Sequence, residues 1–199
     1  MLVELSREFV REPVVFGHAL ETLMAEAEVL VPQALGELAQ LGLSPLQPLE
    51  VAYPGVMWAE ALDIVVRALS ADLDRAGAEF LLGQRYCERA LRSRLGSAMN
   101  AHARVVGPER TLLRTARNLR TANNFTDATV RELSGGRGWE LVTRPALEFA
   151  GMSWLRMDPP HFLRGVLTRS FEAAGARGVS MVLVDHDEEF SRATFHVSF

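Results

Sequence analysis

The hydrophobic period of this sequence changes at Asn123-Asn124, and the change divides the chain into two parts. Before it, apolar residues recur at every third or fourth position, which is the spacing of amphipathic helices. After it, short runs alternate between apolar and polar residues, which is the spacing of β-strands. We therefore predict an α+β fold, in which an N-terminal helical bundle is followed by a small antiparallel sheet with an inserted helix.

The predicted helices of the first part differ in character. Their approximate spans are 13–30, 32–41, 55–69, 75–106 and 108–121. The third is apolar almost all round, which predicts a central position. Within the long fourth helix, Gly83 and Gly96 each cost about 1 kcal/mol relative to alanine. Their presence predicts close contacts between helices, or a break in this helix.

The second part is predicted to contain a hairpin, a helix and two closing strands. Residues 129–133 and 139–143 alternate on either side of a glycine-rich turn. A helix that ends at Gly175 separates this hairpin from two C-terminal strands. Because hairpin-length links join two of the strand pairs, the sheet is predicted to be antiparallel. We assign residues 1–199 to a single domain with a shared core, mainly helical over 1–122.

Cysteine content and the length of the apolar runs indicate where the protein works. Cys87 is the only cysteine, so no intramolecular disulfide can form, which favours a reducing compartment. Residues 1–11 alternate charges and do not have the apolar core of a signal peptide. The apolar runs are far shorter than the roughly 20 residues that cross a bilayer. We expect a cytoplasmic protein without a transmembrane segment.

The sequence has no residue pattern typical of an active site or a metal site. Its five histidines show no paired ligand spacing, and Cys87 has no second cysteine beside it. The histidines are His18, His102, His161, His186 and His196. No serine stands in a Gly-x-Ser-x-Gly context. We therefore expect no catalytic residue, no metal and no cofactor, and an enzyme is only the third hypothesis.

Basic charge is concentrated in one segment of an otherwise acidic chain. All 21 basic residues are arginines and the net charge is −4, yet residues 81–120 hold nine arginines against two glutamates. Six of them recur at helical spacings and form a candidate site for an anion or an acidic protein partner: Arg85, Arg89, Arg92, Arg110, Arg114 and Arg117. The alternative is that these faces lie against the acidic N-terminal helices or in water. Nucleic acid is not indicated, since the net charge is negative and no aromatic residues are interleaved.

Aromatic residues supply a second candidate site. Five of them could line an apolar pocket between the helices and the sheet: Trp58, Tyr86, Trp139, Trp154 and Phe162. Such a pocket is the usual place for a small ligand. For each residue taken singly, plain core packing is the more common role.

Five short motifs follow one another along the chain: Leu41-Gly42-Leu43, Ala52-Tyr53-Pro54 before Trp58, Leu82-Gly83-Gln84-Arg85, Gly107-Pro108-Glu109-Arg110 and Thr121-Ala122-Asn123-Asn124-Phe125. In this order and spacing they resemble a myxobacterial paralogous family, a domain of unknown function of similar length. The resemblance covers nearly the whole chain. It implies no activity, because none is assigned to the family.

The order of elements is also similar to a wider group of ligand-binding domains. The likeness rests on Leu82-Gly83 in a long helix and on Gly165 to Gly175 before the last two strands. The group contains vinyl-reductase-like small-molecule-binding domains, haem nitric-oxide-binding domains and a Golgi-transport tethering subunit that holds a fatty acyl chain. This chain has neither the Tyr-x-Ser-x-Arg motif of the haem-binding relatives nor the C-terminal cysteines of the vinyl-reductase-like group, and His102 is not placed as an axial ligand. The resemblance implies the architecture and an enclosed apolar site.

Two functions from different classes are predicted. The first is a non-enzymatic regulatory or sensory module that binds a small, partly apolar ligand between its helices and its sheet. The second is a protein–protein interaction adaptor that docks an acidic partner on its arginine-rich helical surface. Homodimerisation through the N-terminal helices or the outer face of the sheet is compatible with either.

Overall fold

The computed structural model describes residues 12–136, 138–152 and 154–199, with helices first and the main sheet last. The helices are α1 (Gly17–Leu30), α2 (Leu35–Gln40), α3 (Gly55–Leu69), α4 (Arg75–Ala90), α5 (Arg94–Val106), α6 (Pro108–Leu112), α7 (Thr115–Leu119) and α8 (Pro160–Ala173). The strands are β1 (Val14–Phe16), β2 (Ala52–Pro54), β3 (Thr126–Glu132), β4 (Trp139–Pro145), β5 (Ser180–Asp187) and β6 (Arg192–Ser198). The predicted α+β fold is confirmed. Within these three ranges no helix is long and apolar enough to cross a membrane.

The last four strands form one antiparallel sheet in the order β3-β4-β6-β5. The two hairpins are joined where β4 pairs with β6, and Leu141 lies opposite Phe195 in that pairing. Both side chains are fully buried, because alternate residues of each strand face the core. The predicted hairpins and closing strands are therefore present in the predicted order.

A second, two-stranded sheet joins β1 to β2, and the sequence pattern did not predict it. The backbone N–H of Val14 also donates to the side-chain oxygen of Asn124 (2.8 Å). These pairings hold residues 14–16 extended, so the predicted helix start at residue 13 is wrong and α1 begins at Gly17. Three residues are too few for a strand period to be recognised beside a strong helical pattern.

The hydrophobic core has two parts, and α8 contributes to both. The first packs α1, α3 and α4 together, with Leu20, Val65 and Leu82 fully buried. The second covers the inner face of the main sheet. Phe162 of α8 belongs to the first part, and Phe171, further along the same helix, belongs to the second. The helical and sheet parts of the chain are thus joined through α8.

Gly83 lies where α4 crosses α8 at very short range. A Cβ atom at this position would lie 2.1 Å from the carbonyl oxygen of Phe162, so no larger residue fits without a backbone shift. The predicted close helix contact at Gly83 is therefore confirmed.

The helical span predicted over residues 75–106 is divided, because the chain turns between α4 and α5; the break that Gly96 indicated as one alternative is observed. The hydroxyl of Ser93 accepts a hydrogen bond from the backbone N–H of Gly96 (3.0 Å) and so caps the start of α5. A Cβ at Gly96 would lie 1.9 Å from the carbonyl oxygen of Ala90. Gly96 therefore permits the tight corner that separates the two helices.

Candidate functional site

Helix α5 presents an apolar face that the described residues leave only partly packed. Leu95, Met99 and Val106 are spaced four and seven residues apart, so they lie on one side of the helix. An amphipathic helix of a globular protein normally buries such a face in the core. No residue of α5 is fully buried, however, and Leu95 is 50% exposed. The apolar face borders an open cleft instead.

The cleft has two lobes that share lining residues and therefore adjoin. The α1 lobe, between α1, α4, α5 and α8, has a volume of about 460 Å³. The α6 lobe, between α5 and the α6–α7 segment, has a volume of about 550 Å³. The shared residues are Leu91, Leu95, Met99, Asn118, Thr121 and Ser170. Both volumes fall within the range of about 300–1,000 Å³ that small-molecule sites have.

Both ends of α5 are fixed by local structure. The capped corner at Ser93 holds its first turn. After its last residue, Gly107 has a φ of +84°, in the left-handed region that favours glycine. Near this end, Arg104 donates from Nε to the carbonyl oxygen of Ala173 at the end of α8 (3.3 Å). The middle of the helix is left to span the cleft.

The predicted arginine site divides into two groups. Arg85 and Arg89 of α4 both pair with Glu26 of α1, at 3.3 Å and 2.5 Å. The Glu26 side chain is 3% exposed, so the two guanidinium groups neutralise a buried carboxylate. For these two residues, packing against the acidic N-terminal helices is the observed arrangement.

The other four arginines are exposed on the cleft side of the molecule or beside it. Arg92 lines the α1 lobe, and Arg114 and Arg117 line the α6 lobe. The Arg114 guanidinium contacts His102 Nε2. Arg110 lines neither lobe. Within the described parts of the chain, none of these four arginines makes an ion pair with a carboxylate.

The structure brings together three of the five predicted pocket aromatics. Trp58, Tyr86 and Phe162 contact one another edge to face, with ring centroids 5.5–6.1 Å apart. All three are buried in the first part of the core. Of the three, only Tyr86 reaches the wall of the α1 lobe. They form a packed cluster rather than the lining of a pocket.

The remaining two predicted aromatics lie elsewhere, so the five do not form one pocket. Trp139 of β4 stacks on Phe199 with ring centroids 5.1 Å apart, on the sheet side of the core. Trp154 lies in the loop before α8 and is 54% exposed. The apolar residues of α5 that line the cleft were missed, because α4 and α5 were predicted as one helical span and a gap between them was not considered.

Asp158 contributes a carboxyl group to the aromatic cluster. Its carboxylate accepts a hydrogen bond from the Trp58 indole N–H. Burial raises the pKa of Asp158 to about 6, although the bond from Trp58 opposes that shift. Burial, followed by the nearby Asp158 charge, also raises the pKa of Tyr86. Asp158 lines neither lobe of the cleft, so this perturbed group does not face the site.

The fold is similar to that of H-NOX domains. The Fe(II) unliganded H-NOX protein from K. algicida aligns with a TM-score of 0.61 and 11% identity, over 92% of this chain and 95% of that chain. An oxygen-binding H-NOX domain related to soluble guanylate cyclases aligns with a TM-score of 0.59 and 11% identity, over 92% of each chain. Identities this low show the fold alone. The expected likeness to the haem nitric-oxide-binding layout is confirmed.

Comparison with protein families gave one match, over residues 13–199, to a family described as protein of unknown function (DUF2378). Comparison with curated proteins gave no match. The predicted resemblance to a family of unknown function is therefore confirmed over nearly the whole chain.

A haem group, which one of the similar solved structures concerns, does not fit the residues of this cleft. His102 Nε2 faces the Arg114 guanidinium, a group that can only donate, so the lone pair that iron would need is engaged. His18, at the α1 lobe, is exposed and stacks on Phe16. Burial raises the pKa of the Cys87 thiol to about 12, so it is protonated and a poor ligand. Among the residues described, no three potential metal ligands come together.

Proposed function

The chain belongs to the DUF2378 family, and we propose that it is a sensory or regulatory module that binds a small, partly apolar ligand in the cleft beneath α5. The observation that carries the proposal is the only partly packed apolar face of α5 across two adjoining lobes. The similarity to H-NOX folds supports it, because those neighbours include an oxygen-binding domain.

The physical argument concerns the apolar surface that the free protein leaves in water. Full burial of a leucine or methionine side chain is worth about 1.5–3 kcal/mol. Leu95 and Met99 lack part of this stabilisation in the free protein, because none of the described residues covers them fully on the cleft side. An apolar ligand in the cleft would bury both side chains at once. The hydrophobic effect therefore favours occupation of the cleft.

The position of α5 over the cleft also suggests how ligand binding could be transmitted to another protein. Helix α5 is held at its two ends, and its middle has few partners apart from the cleft. A bound ligand would give the helix a packing partner and reduce its motion. A second protein that reads the outer surface of α5 would then distinguish the two states.

The proposal treats the module as non-enzymatic. The strongly perturbed Asp158 belongs to the aromatic core and not to the cleft. Cys87, which does border the α1 lobe, is a buried thiol with a raised pKa and is therefore a weak nucleophile. Neither group supplies the activated side chain that covalent or acid–base catalysis needs.

Exposed arginines support the second candidate, an adaptor for an acidic protein partner. Arg110, Arg114 and Arg117 are exposed and close in sequence to Leu113, which is 63% exposed. Together they combine positive charge with apolar surface, as protein interfaces do. Replacement of the three arginines by glutamate would abolish a salt-sensitive association in a pull-down if this candidate is right. An association that survives the charge reversals would exclude it.

Mass spectrometry tests the ligand-binding proposal on the purified protein. The wild type measured under native conditions is expected to carry an extra mass that is released on unfolding. The Met99→Gln variant is expected to lose this mass, because a polar side chain replaces part of the apolar wall. Val105→Gln is the matched control, since Val105 lies on α5 but lines neither lobe. Equal occupancy in Met99→Gln and in the control would contradict the proposal.

A further inference from the structure

We propose that the ligand of the cleft is an amphipathic anion, with its carboxylate or phosphate group in the α6 lobe and its apolar body in the α1 lobe. The inference rests on the proposed function, because it assigns a chemical class to the same site. It follows from the way charge is distributed between the two lobes.

The α6 lobe has cationic walls. Arg114 and Arg117 line it, and no aspartate or glutamate is among its lining residues. The contact between Arg114 and His102 holds the guanidinium against the wall that α5 forms. The lobe therefore offers two guanidinium groups that, among the described residues, make no ion pair with a carboxylate.

The α1 lobe has walls that are largely apolar. Its apolar lining residues are Ala25, Ala90, Leu91, Leu95, Met99, Leu119, Ala122, Val166 and Leu167. Glu21 is the only carboxylate among the lining residues described for either lobe, and it lies here. Two arginines also line this lobe, Arg89, which is paired with Glu26, and Arg92. Arg92 is thus set against Glu21 in the α1 lobe, whereas no carboxylate opposes Arg114 and Arg117 in the α6 lobe, so a negative head group is attracted more strongly to the α6 lobe. The charges thus set the orientation of the ligand as well as its sign.

Other ligand classes fit the cleft less well. A neutral apolar molecule that filled both lobes would remove water from Arg114 and Arg117 without pairing them, which is unfavourable. A cation would meet the same two guanidinium groups and be repelled. An arginine pair, in contrast, binds carboxylate or phosphate through charge-assisted hydrogen bonds with a planar fork.

Displacement of a bound dye tests the inference. Nile red, a neutral fluorescent dye, is bound first and is then displaced by dodecanoate, dodecyl phosphate, dodecanol or dodecyltrimethylammonium. The four competitors share one chain length and differ in the head group. We expect the better of the two anions to bind about tenfold more tightly than dodecanol, since only the anions form charge-assisted hydrogen bonds with the guanidinium groups. The two anion arms distinguish a carboxylate ligand from a phosphate ligand.

Three variants assign the preference to named residues. Arg114→Gln and Arg117→Gln are each expected to reduce the ratio of anion to alcohol affinity severalfold. Arg110→Gln is the matched control, because Arg110 is exposed nearby and lines neither lobe, and it should leave the ratio unchanged. Added salt should lower the ratio in the wild type, since screening weakens the partly exposed charge pair.

Failure of the inference differs from failure of the proposed function. If Nile red binds and dodecanol displaces it as well as both anions do, the ligand class is wrong and the cleft still binds apolar molecules. An anion preference that Arg114→Gln and Arg117→Gln leave intact would also overturn the inference. If Nile red does not bind at all, the proposed function itself fails.

Discussion

Gly83 of α4 and Gly165 of α8 face each other at the helix crossing, where a Cβ atom on Gly165 would lie 3.1 Å from the Cα of Gly83. That same Cβ would lie 2.3 Å from the carbonyl oxygen of Phe80. The two backbones thus meet without an intervening side chain. This contact places Val166 and Ser170 of α8 near the end of α4, where they form the back of the cleft.

Substitution at the crossing should therefore be costly. Gly83→Ala is expected to destabilise the protein by about 3 kcal/mol, because the added methyl group overlaps the Phe162 carbonyl oxygen and the helices must separate. Urea denaturation measures the free energy of unfolding. The control is Gly36→Ala in α2, where nothing lies within 4 Å of the new Cβ. That change should stabilise the protein by about 0.5–1 kcal/mol, and similar effects at both sites would refute the close crossing.

Glu26 should matter more for stability than exposed acidic residues do. Glu26→Ala removes the partner of both Arg85 and Arg89 and is expected to cost about 2 kcal/mol. The cost stays below that of a fully buried pair because the two arginines are partly exposed and regain water.

The comparison for Glu26 is Glu37, whose side chain is 56% exposed and which pairs with the equally exposed Arg67. Glu37→Ala should cost less than about 1 kcal/mol, as is usual for surface ion pairs. Thermal unfolding of the two variants provides the measurement. An equal loss of stability in the two variants would mean that the burial of Glu26 does not strengthen its ion pairs.

The pKa of Asp158 predicts a pH-dependent difference between the wild type and Asp158→Asn. Because the folded-state pKa is raised to about 6 from an ordinary 3.8, the folded protein binds a proton more tightly than the unfolded chain. The wild type therefore loses stability as pH rises from about 4 to about 6, and the loss persists at higher pH. Asparagine keeps an acceptor for the Trp58 indole and carries no charge. We expect the variant to be more stable at pH 8, by on the order of 2 kcal/mol.

Melting temperatures measured from pH 4 to pH 8 check this expectation. The variant should melt about 4–8 °C above the wild type at pH 8. The gap should close as the pH approaches 4, where Asp158 is protonated in the folded wild type. If the difference in melting temperature does not change with pH, the pKa of Asp158 is not raised in the folded protein.

Much of the fold could be predicted from the sequence because its signals are local. The change of period at Asn123-Asn124 separates the helical part from the sheet part, and both hairpins occur where alternating runs flank turn residues. Gly83 indicated a close contact because glycine inside a helix is costly unless packing requires it. Gly96 is an equally costly glycine in a helical pattern. The sequence alone did not show that it permits a turn between two helices rather than a close contact with another helix.

The cleft could not be predicted, because it depends on residues that are distant in sequence. It lies between α5 on one side and α1 and α8 on the other. The distance between these helices cannot be predicted from a local sequence pattern. The division of the arginines has the same origin. Glu26 lies 59 and 63 residues from the two arginines that it neutralises, so the sequence does not reveal which arginines stay exposed.

Nile red titration of three α5 variants tests the central claim most directly. The wild type and Val105→Gln should each bind one dye molecule with the same affinity, because Val105 is 85% exposed and lines neither lobe. Leu95→Gln and Met99→Gln should weaken binding about tenfold or more, while their unfolding free energies stay within about 1 kcal/mol of the wild type. Unchanged binding in those two variants would contradict the claim that the apolar face of α5 forms the wall of a ligand site.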